Sequence, residues 1–353
     1  MIKITFVGDI FPGEEDFFSG FGIKSKFESG SVDKWRHNLH EITSQSDYVV
    51  GNLESPLIEE AHKHKASFYG SPKFAYFLKS CGINILNIAN NHILEHGQQG
   101  YIQTKKILCD AQIDIIGDNN SILIIEKEHV KIGIAGFNDI ETGTHEKDDC
   151  FYKLSEKNLE YALHQMTLNN VDVKIFCFHW GNEYIHKPSP MQREIAYRWI
   201  DNGINLIVGH HPHAIQPYEK YKEGHIFYSL GNFCFDNPFQ SRQFSKGMGI
   251  TITIDAIAKT IQYVTLFGVN LKHKELVKKV LPSEFDYHFQ KIQKQYSLAK
   301  GNSRYHEMYT KELKIRHIIE RLLMKLSLFK LFFNINPVER RLLIKNLKQF
   351  YCK

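Results

Sequence analysis

The chain has 353 residues, of which 42% are hydrophobic and 24% charged. This is ordinary globular usage, so collagen-like, low-complexity and disordered classes are excluded, and a chain of this length can bury a full core. The length allows one large domain with an appendage, or two domains. No run of about 18 uncharged apolar residues is available to span a bilayer as a helix. The opening Met1-Ile2-Lys3-Ile4-Thr5-Phe6-Val7-Gly8-Asp9 reads as a strand and has none of the features of a secretory leader. Cys81, Cys109, Cys150, Cys177, Cys234 and Cys352 are scattered without a CxxC pair. They read as reduced thiols of a cytosolic protein.

The net charge of +5 is unevenly distributed. Residues 271–353 hold 19 Lys/Arg and 7 Asp/Glu, a net of +12, which leaves −7 on the first 270. Opposite charge on two regions suggests two roles.

Along the first 270 residues strand-like and helix-like segments alternate. The expected strands are Ile2–Val7, Tyr48–Gly51, Asn84–Ala89, Lys131–Phe137, Val173–His179, Asn205–Val208, His225–Leu230 and Ile250–Asp255. Several are near-continuous apolar runs, as in strands covered on both faces. The expected helices are Lys73–Ser80, Gln98–Cys109, Leu159–Leu168 and Met191–Asp201. This order predicts an α/β layered core. Strands follow strands from Tyr228 onward, so the sheet is expected to finish antiparallel.

The last 80 residues differ. Ile315, Ile318, Ile319, Leu322, Leu326 and Phe329 fall at helical spacing. Asn336-Pro337-Val338-Glu339 reads as a helix start, and Val338, Leu342, Leu343, Leu347 and Phe350 form a second stripe. A boundary is placed near 272, giving a domain of residues 1–271 and a basic helical extension, 272–353. Its stripes are expected to pack on the core. The competing reading is a peripheral membrane or acidic protein contact through the extension. No motif supports nucleic-acid binding.

Polar residues cluster where the expected strands end, which is where open α/β sheets place their sites. The junctions are Gly8-Asp9, Gly51-Asn52-Leu53-Glu54, Asn90-Asn91-His92, His179-Trp180-Gly181-Asn182-Glu183, Gly209-His210-His211-Pro212-His213 and Ser229-Leu230-Gly231-Asn232-Phe233. Asp9, Glu54, Asn91, His92, His179, His211 and His213 together offer carboxylate, amide and imidazole donors. That mixture suits one or two divalent ions such as Mn, Fe or Zn. Each element alone has an ordinary reading: Gly8-Asp9 as a turn, Asn90-Asn91-His92 as a helix cap, His179 as a hydrogen-bonded core histidine. Three imidazoles in four residues at His210-His211-Pro212-His213 are harder to bury unpaired. His62, His64, His145, His164, His186 and His225 read as peripheral, and His96 is ambiguous.

In this order the motifs resemble the CapA family, the capsule and poly-γ-glutamate biosynthesis proteins, over about residues 1–255. The resemblance rests on Val7-Gly8-Asp9, Gly51-Asn52-Leu53-Glu54-Ser55-Pro56-Leu57, Asn87-Ile88-Ala89-Asn90-Asn91-His92, Phe178-His179-Trp180-Gly181-Asn182-Glu183-Tyr184, Gly209-His210-His211-Pro212-His213-Ala214-Ile215-Gln216 and Phe227-Tyr228-Ser229-Leu230-Gly231-Asn232-Phe233. It implies a four-layer α/β/β/α metallophosphatase-like sandwich. It also implies a site lined by Asp9, Glu54, His92, His179, His211 and His213, with Asn52, Asn91 and Asn232 close by. The chain departs from the wider calcineurin-like phosphoesterases in placing Phe11 where an Asp-x-His motif has its histidine. It has Asn52 or Glu54 for an Asp, and an extra histidine in Gly-His-x-His. Glu95 stands where the family usually has Asp.

Two functions follow as expectations. The first is a metal-dependent hydrolase of a phosphoester or related polymer linkage, acting on a small-molecule or polymer substrate. His92 or His210 protonates the leaving group with Asn91 beside them, and Asn52, Glu183, Asn232 and Trp180 contact substrate. The second is a non-catalytic assembly or polymer-binding component of capsule biosynthesis. Trp180, Tyr184, Phe233 and Phe235 offer either a stacking wall or core packing.

Overall fold

The computed structural model describes residues 1–14, 19–30, 32–60, 68–119, 121–142, 150–235, 245–272 and 276–351. His62, His64, His145 and Cys352 lie outside them. The chain begins β1 (Ile2–Phe11), α1 (Ile23–Glu28), α2 (Asp33–Thr43), β2 (Tyr48–Leu53), α3 (Lys73–Ser80), β3 (Ile85–Asn87), α4 (Gly97–Asp110) and β4 (Asp114–Ile116). It continues with β5 (Leu123–Lys127), β6 (Val130–Asn138), α5 (Glu156–Leu168), β7 (Val173–His179), α6 (Pro190–Asp201) and β8 (Leu206–His210). Six strands follow: β9 (Tyr218–Tyr221), β10 (Gly224–Phe227), β11 (Asn232–Phe235), β12 (Lys246–Asp255), β13 (Thr260–Lys272) and β14 (Leu276–Lys279). Three helices close the chain: α7 (Pro282–Lys300), α8 (Tyr305–Asn334) and α9 (Pro337–Tyr351).

The strands form two sheets. One has the order β14-β13-β12-β1-β2-β3-β4 with β11 also on β1; the other runs β5-β6-β7-β8-β10-β9. Strand β1 is flanked in parallel by β2 and β11 and antiparallel by β12. Beyond β12 the pairing is antiparallel, as expected, whereas β11 runs parallel to β1.

Three apolar cores explain the arrangement. Ile4, Phe6 and Val50 of the first sheet face Ile134, Ile175 and Val208 of the second. The opposite face of the first sheet buries Val7 and Leu86 against Leu39 of α2 and Phe74 and Leu78 of α3. The outer face of the second buries Phe176 and Phe178 against Leu159 of α5 and Trp199 of α6. Strands β6, β7 and β8 are therefore apolar on both faces, which is why they read as continuous runs. Helix α6 opens on a capping box, Ser189 with Gln192, and Pro190 at its first turn.

The expected strand His225–Leu230 is shorter than its apolar run suggests. After Phe227 the chain leaves the second sheet and re-enters the first as β11. The crossing is stitched to both: Leu230 N–H donates to the Gly209 carbonyl at 3.0 Å, Met248 N–H to Leu230 at 2.8 Å, and Asp9 N–H to Gly231 at 2.9 Å.

The expected boundary near residue 272 falls between β13 and β14, inside the first sheet. The helical part begins at Pro282, and α7 is part of the core: Phe285, Phe289 and Ile292 are buried between the sheets. A buried carboxylate fixes the end of α7. Glu219 on β9 accepts from Tyr197 (3.0 Å), Tyr228 (2.9 Å), Tyr296 and Lys300 (2.9 Å). These donors hold its carboxyl below the usual range although burial pushes the other way. Among the described residues no helix is long and apolar enough to cross a membrane.

Because α7 fills the space between the sheets, Phe289→Ala is expected to lower the unfolding free energy by about 3 kcal/mol. Leu298→Ala, on its exposed face, should change it by less than about 0.5 kcal/mol. Urea titration followed by circular dichroism measures both.

Candidate metal centre

The carboxyl ends of β1, β2, β7 and β8 meet at one rim. Asp9 is in register with Asn52 on β2 and Asn232 on β11, and His179 with His210. Val7 and Ile10 share a core although strict alternation would put them on opposite faces. Slips of register on either side of Asp9 account for this and re-aim the carboxylate, as bulges beside sites do. Two glycines allow the close approach. A Cβ on Gly8 would lie 1.9 Å from the Gly231 oxygen, and one on Gly209 1.9 Å from the Tyr228 oxygen. His211 and His213 both adopt left-handed backbone, φ +93° and +52°. Such strain in non-glycine residues is retained only where the surroundings enforce it. Here it lets His213 meet Asp9 and Glu54 and His211 pack against His179.

Two candidate metal-binding clusters result: Glu54, His179 and His211, and Asp9, Glu54 and His213, all buried. In each, one donor atom per residue lies within 4.8 Å of the others. Glu54 is common to both. Its Oε1 is 3.4 Å from His179 Nε2 and 3.7 Å from His213 Nε2, and Asp9 Oδ2 is 3.4 Å from His213 Nδ1. Rings of His179 and His211 are 4.9 Å apart.

A chain of amides sets the polarity. Asn87 donates to Asn52 Oδ1 at 3.0 Å, so the Asn52 amide nitrogen faces Asp9 Oδ1 at 2.8 Å and His179 Nδ1 at 3.2 Å. His179 Nε2 lies 2.8 Å from Asn91 Oδ1. Asn91 Nδ2 reaches His92 Nε2 at 3.0 Å, and His92 Nδ1 donates to Glu95 at 3.0 Å. The longer acidic side chain at position 95 still makes this contact.

Burial dominates the electrostatics. It drives the imidazolium form of His179 well below the usual range, helped by the neighbouring histidines, and pulls His211 down to about 4. Burial and then the Asp9 charge push Glu54 well up. For Asp9, burial is outweighed by His213, His210 and Asn52, and its carboxyl is lowered. For His213, burial is outweighed by Glu54 and Asp9, which raise it to about 10. Among the described residues, both Glu54 oxygens and His211 Nδ1 are buried without a hydrogen-bond partner. Bare acceptors of this kind are costly, and a divalent cation among carboxylate and imidazole donors supplies what they lack. The residues fit such an ion.

Other expected residues are placed differently. His210 puts Nε2 3.1 Å from the Val7 carbonyl, and burial keeps it neutral. Its one proton is committed to backbone, and it belongs to neither cluster; this corrects its expected part as proton donor. Trp180 is a core residue, donating to the Tyr228 carbonyl at 3.0 Å and packed on Phe178; it is not a substrate contact. Glu183 is half-buried, and its charge acts on Glu54, His211 and His213. Asn232 holds His213 Nδ1 at 2.9 Å. His96 occupies the N-cap position of α4 without a side-chain capping bond and meets Tyr69 edge-on. Phe233 is core, whereas Phe235 lies 4.9 Å from both His213 and Phe11. Phe11 packs on Phe68, which stacks on His92 at 4.4 Å. The aromatic wall is thus Phe11, Phe68 and Phe235. Sequence reading missed Phe68 and Asn87. An asparagine between Leu86 and Ile88 inside an apolar strand was the available signal.

A family model described as bacterial capsule synthesis protein PGA_cap matches residues 3–237, the segment that supplies every residue of both clusters. The chain belongs to the PGA_cap family. It is 33% identical over 254 residues to a capsule biosynthesis protein CapA of Bacillus anthracis, covering 67% of this chain and 60% of that protein. It is 30% identical over 249 residues to a PGA biosynthesis protein CapA of Bacillus subtilis, covering 67% and 64%. The chain spans about three fifths of the length of these curated relatives.

Since His213 and Glu54 both hold protons more tightly than usual, a cation must displace them. Binding of Mn²⁺ or Zn²⁺ near pH 7 should release between about one and two protons. Affinity should rise by up to about tenfold per proton per pH unit from pH 6 to 8. Glu54→Gln should weaken binding at least about 100-fold, and His92→Ala less than about threefold. Calorimetry in buffers of different ionisation enthalpy measures all three.

Proposed function

We propose that this PGA_cap family member is a metal-dependent hydrolase of a phosphoester or related linkage, on a four-layer metallophosphatase-like sandwich, acting in capsule or poly-γ-glutamate-type polymer biosynthesis. The observation that carries the proposal is Glu54, a buried carboxylate with two unpartnered oxygens shared by two clusters of ligand-type side chains. Glu54, His179 and His211 would hold one divalent ion, and Asp9, Glu54 and His213 a second. Such ions polarise a substrate oxygen and lower the pKa of a bound water.

The chain's own residues supply the rest. Asn52, itself held by Asn87, fixes the Asp9 carboxylate and lies 3.2 Å from His179 Nδ1. Glu95 orients His92 through Nδ1, so that Nε2 is the atom turned toward Asn91. In this reading His92, held by Glu95, serves as the leaving-group proton donor. Asn91 links this donor to His179. Phe11, Phe68 and Phe235 shield the His213 side from water and offer ring faces to an apolar part of a substrate. The same wall favours a second reading, polymer binding without turnover: a phenyl ring stands where a further ligand for the Asp9 cluster would be expected.

Assays with bis(p-nitrophenyl) phosphate and p-nitrophenyl phosphate separate the two. Turnover should depend on Mn²⁺, Fe²⁺ or Zn²⁺ and vanish on chelation. His92→Ala should lower kcat by about 10²–10⁴-fold at unchanged metal content. A fully loaded protein with no turnover on either ester would sink the hydrolase reading and leave polymer binding.

A further inference from the structure

Helix α8 contradicts the expectation that its apolar stripe packs on the core. Its first turns are docked. Tyr305 and Tyr309 are buried; Tyr305 donates to the Pro188 carbonyl at 2.6 Å, and Asn182 donates to the Tyr309 hydroxyl at 2.8 Å. Lys187 pairs with Glu312 at 2.5 Å. Beyond this anchor Ile315, Ile318, Ile319, Leu322, Leu326 and Phe329 are 38–65% exposed. Phe333 continues the stripe one turn further, also exposed. At 1.5 Å per residue the stripe runs for about 27 Å along one side of the helix.

An exposed apolar strip of this size marks an interaction surface, and its borders indicate what it meets. At 100° per residue, Lys314 and Lys325 lie along one edge of the stripe and Lys330 along the other, all exposed. Residues 305–351 hold ten Lys/Arg and four Asp/Glu, a net of +6. A second copy docked stripe to stripe would bring two such basic borders together, which opposes self-association. A bilayer with anionic headgroups suits both features. Its acyl boundary accepts the leucines, isoleucines and phenylalanines, while long lysine stems reach back to the headgroups. It also requires no complementary groove.

We propose that α8 lies in the plane of an anionic membrane surface, with Ile318, Leu322, Leu326 and Phe329 inserted and Lys314, Lys325 and Lys330 at the headgroups. Among the described residues the helix is not apolar enough over a sufficient length to cross a bilayer. The proposal is independent of the hydrolase reading, since none of these residues belongs to the metal centre.

The test is flotation of the full chain with vesicles of phosphatidylcholine alone or with about 30 mol% phosphatidylglycerol. Binding should be at least about tenfold tighter to the anionic vesicles and should weaken as salt rises from about 0.1 to about 0.5 M. Leu322→Glu/Phe329→Glu should abolish it. Lys314→Glu/Lys325→Glu should reduce it by at least about tenfold on anionic vesicles and leave any residual binding to neutral ones unchanged. Far-UV circular dichroism and metal titration should match wild type in both variants. The proposal fails if the wild type does not float with anionic vesicles, or if Leu322→Glu/Phe329→Glu floats equally well. It also fails if sedimentation shows a stripe-dependent dimer that vesicles do not disperse, or if an acidic protein, but no vesicle, protects the stripe from limited proteolysis.

Discussion

The site is organised around a carboxylate that is buried with no hydrogen-bond donor among the described residues. Burying Glu54 strips it of water, and the ionised Asp9 nearby raises its cost further. The imidazoles that face it are held neutral by the same burial, apart from His213, whose proton both acids retain. This concentration of uncompensated acceptors at the end of two apolar sheets has no stabilising purpose that replacement by hydrophobic residues would not serve as well. It does make sense as a preformed receptor for positive charge. The slipped register at Asp9, the glycine approaches at Gly8 and Gly209 and the left-handed backbone at His211 and His213 are local deviations that converge on that one spot.

Much of this was legible in the sequence because each ligand type ends an apolar strand. Asp9, Asn52, His179 and His210 each mark the carboxyl end of a β run, and the periodicity of Val173–His179 and Lys73–Ser80 matches the observed elements residue for residue. Sequence could not separate His210 from His211. Adjacent residues point apart, but the left-handed turn that follows β8 decides which of them faces the rim, and nothing in Gly209-His210-His211-Pro212 announces it. Trp180 misled for a similar reason: it follows His179 directly, so alternation sends it to the opposite face. Helix α2 was missed because its buried positions include only Trp35, Leu39 and Ile42 as large apolar residues, among charged and polar neighbours.

The C-terminal region was misjudged in a more instructive way. Its charge and its first apolar stripe were visible, yet periodicity reports only that a helix has an apolar side, not what covers it. Phe285, Phe289 and Ile292 are covered by the two sheets, so α7 belongs physically to the core. Ile318 and Leu322 are not covered, although they repeat at the same interval. The division of labour therefore falls inside the helical segment, along the exposed stripe of α8, rather than between sheet and helices.

The crossing at Leu230 and Gly231 has a mechanical consequence. Three consecutive peptide groups there are bonded to β8, β12 and β1, so the two sheets are riveted together directly beneath the ligand-bearing rim. Sliding one layer over the other, the usual low-energy deformation of stacked sheets, would tear this rivet and drag Asn232 away from His213. Any widening of the rim must come from the loops that carry the ligands, with the strands beneath it moving as one plate.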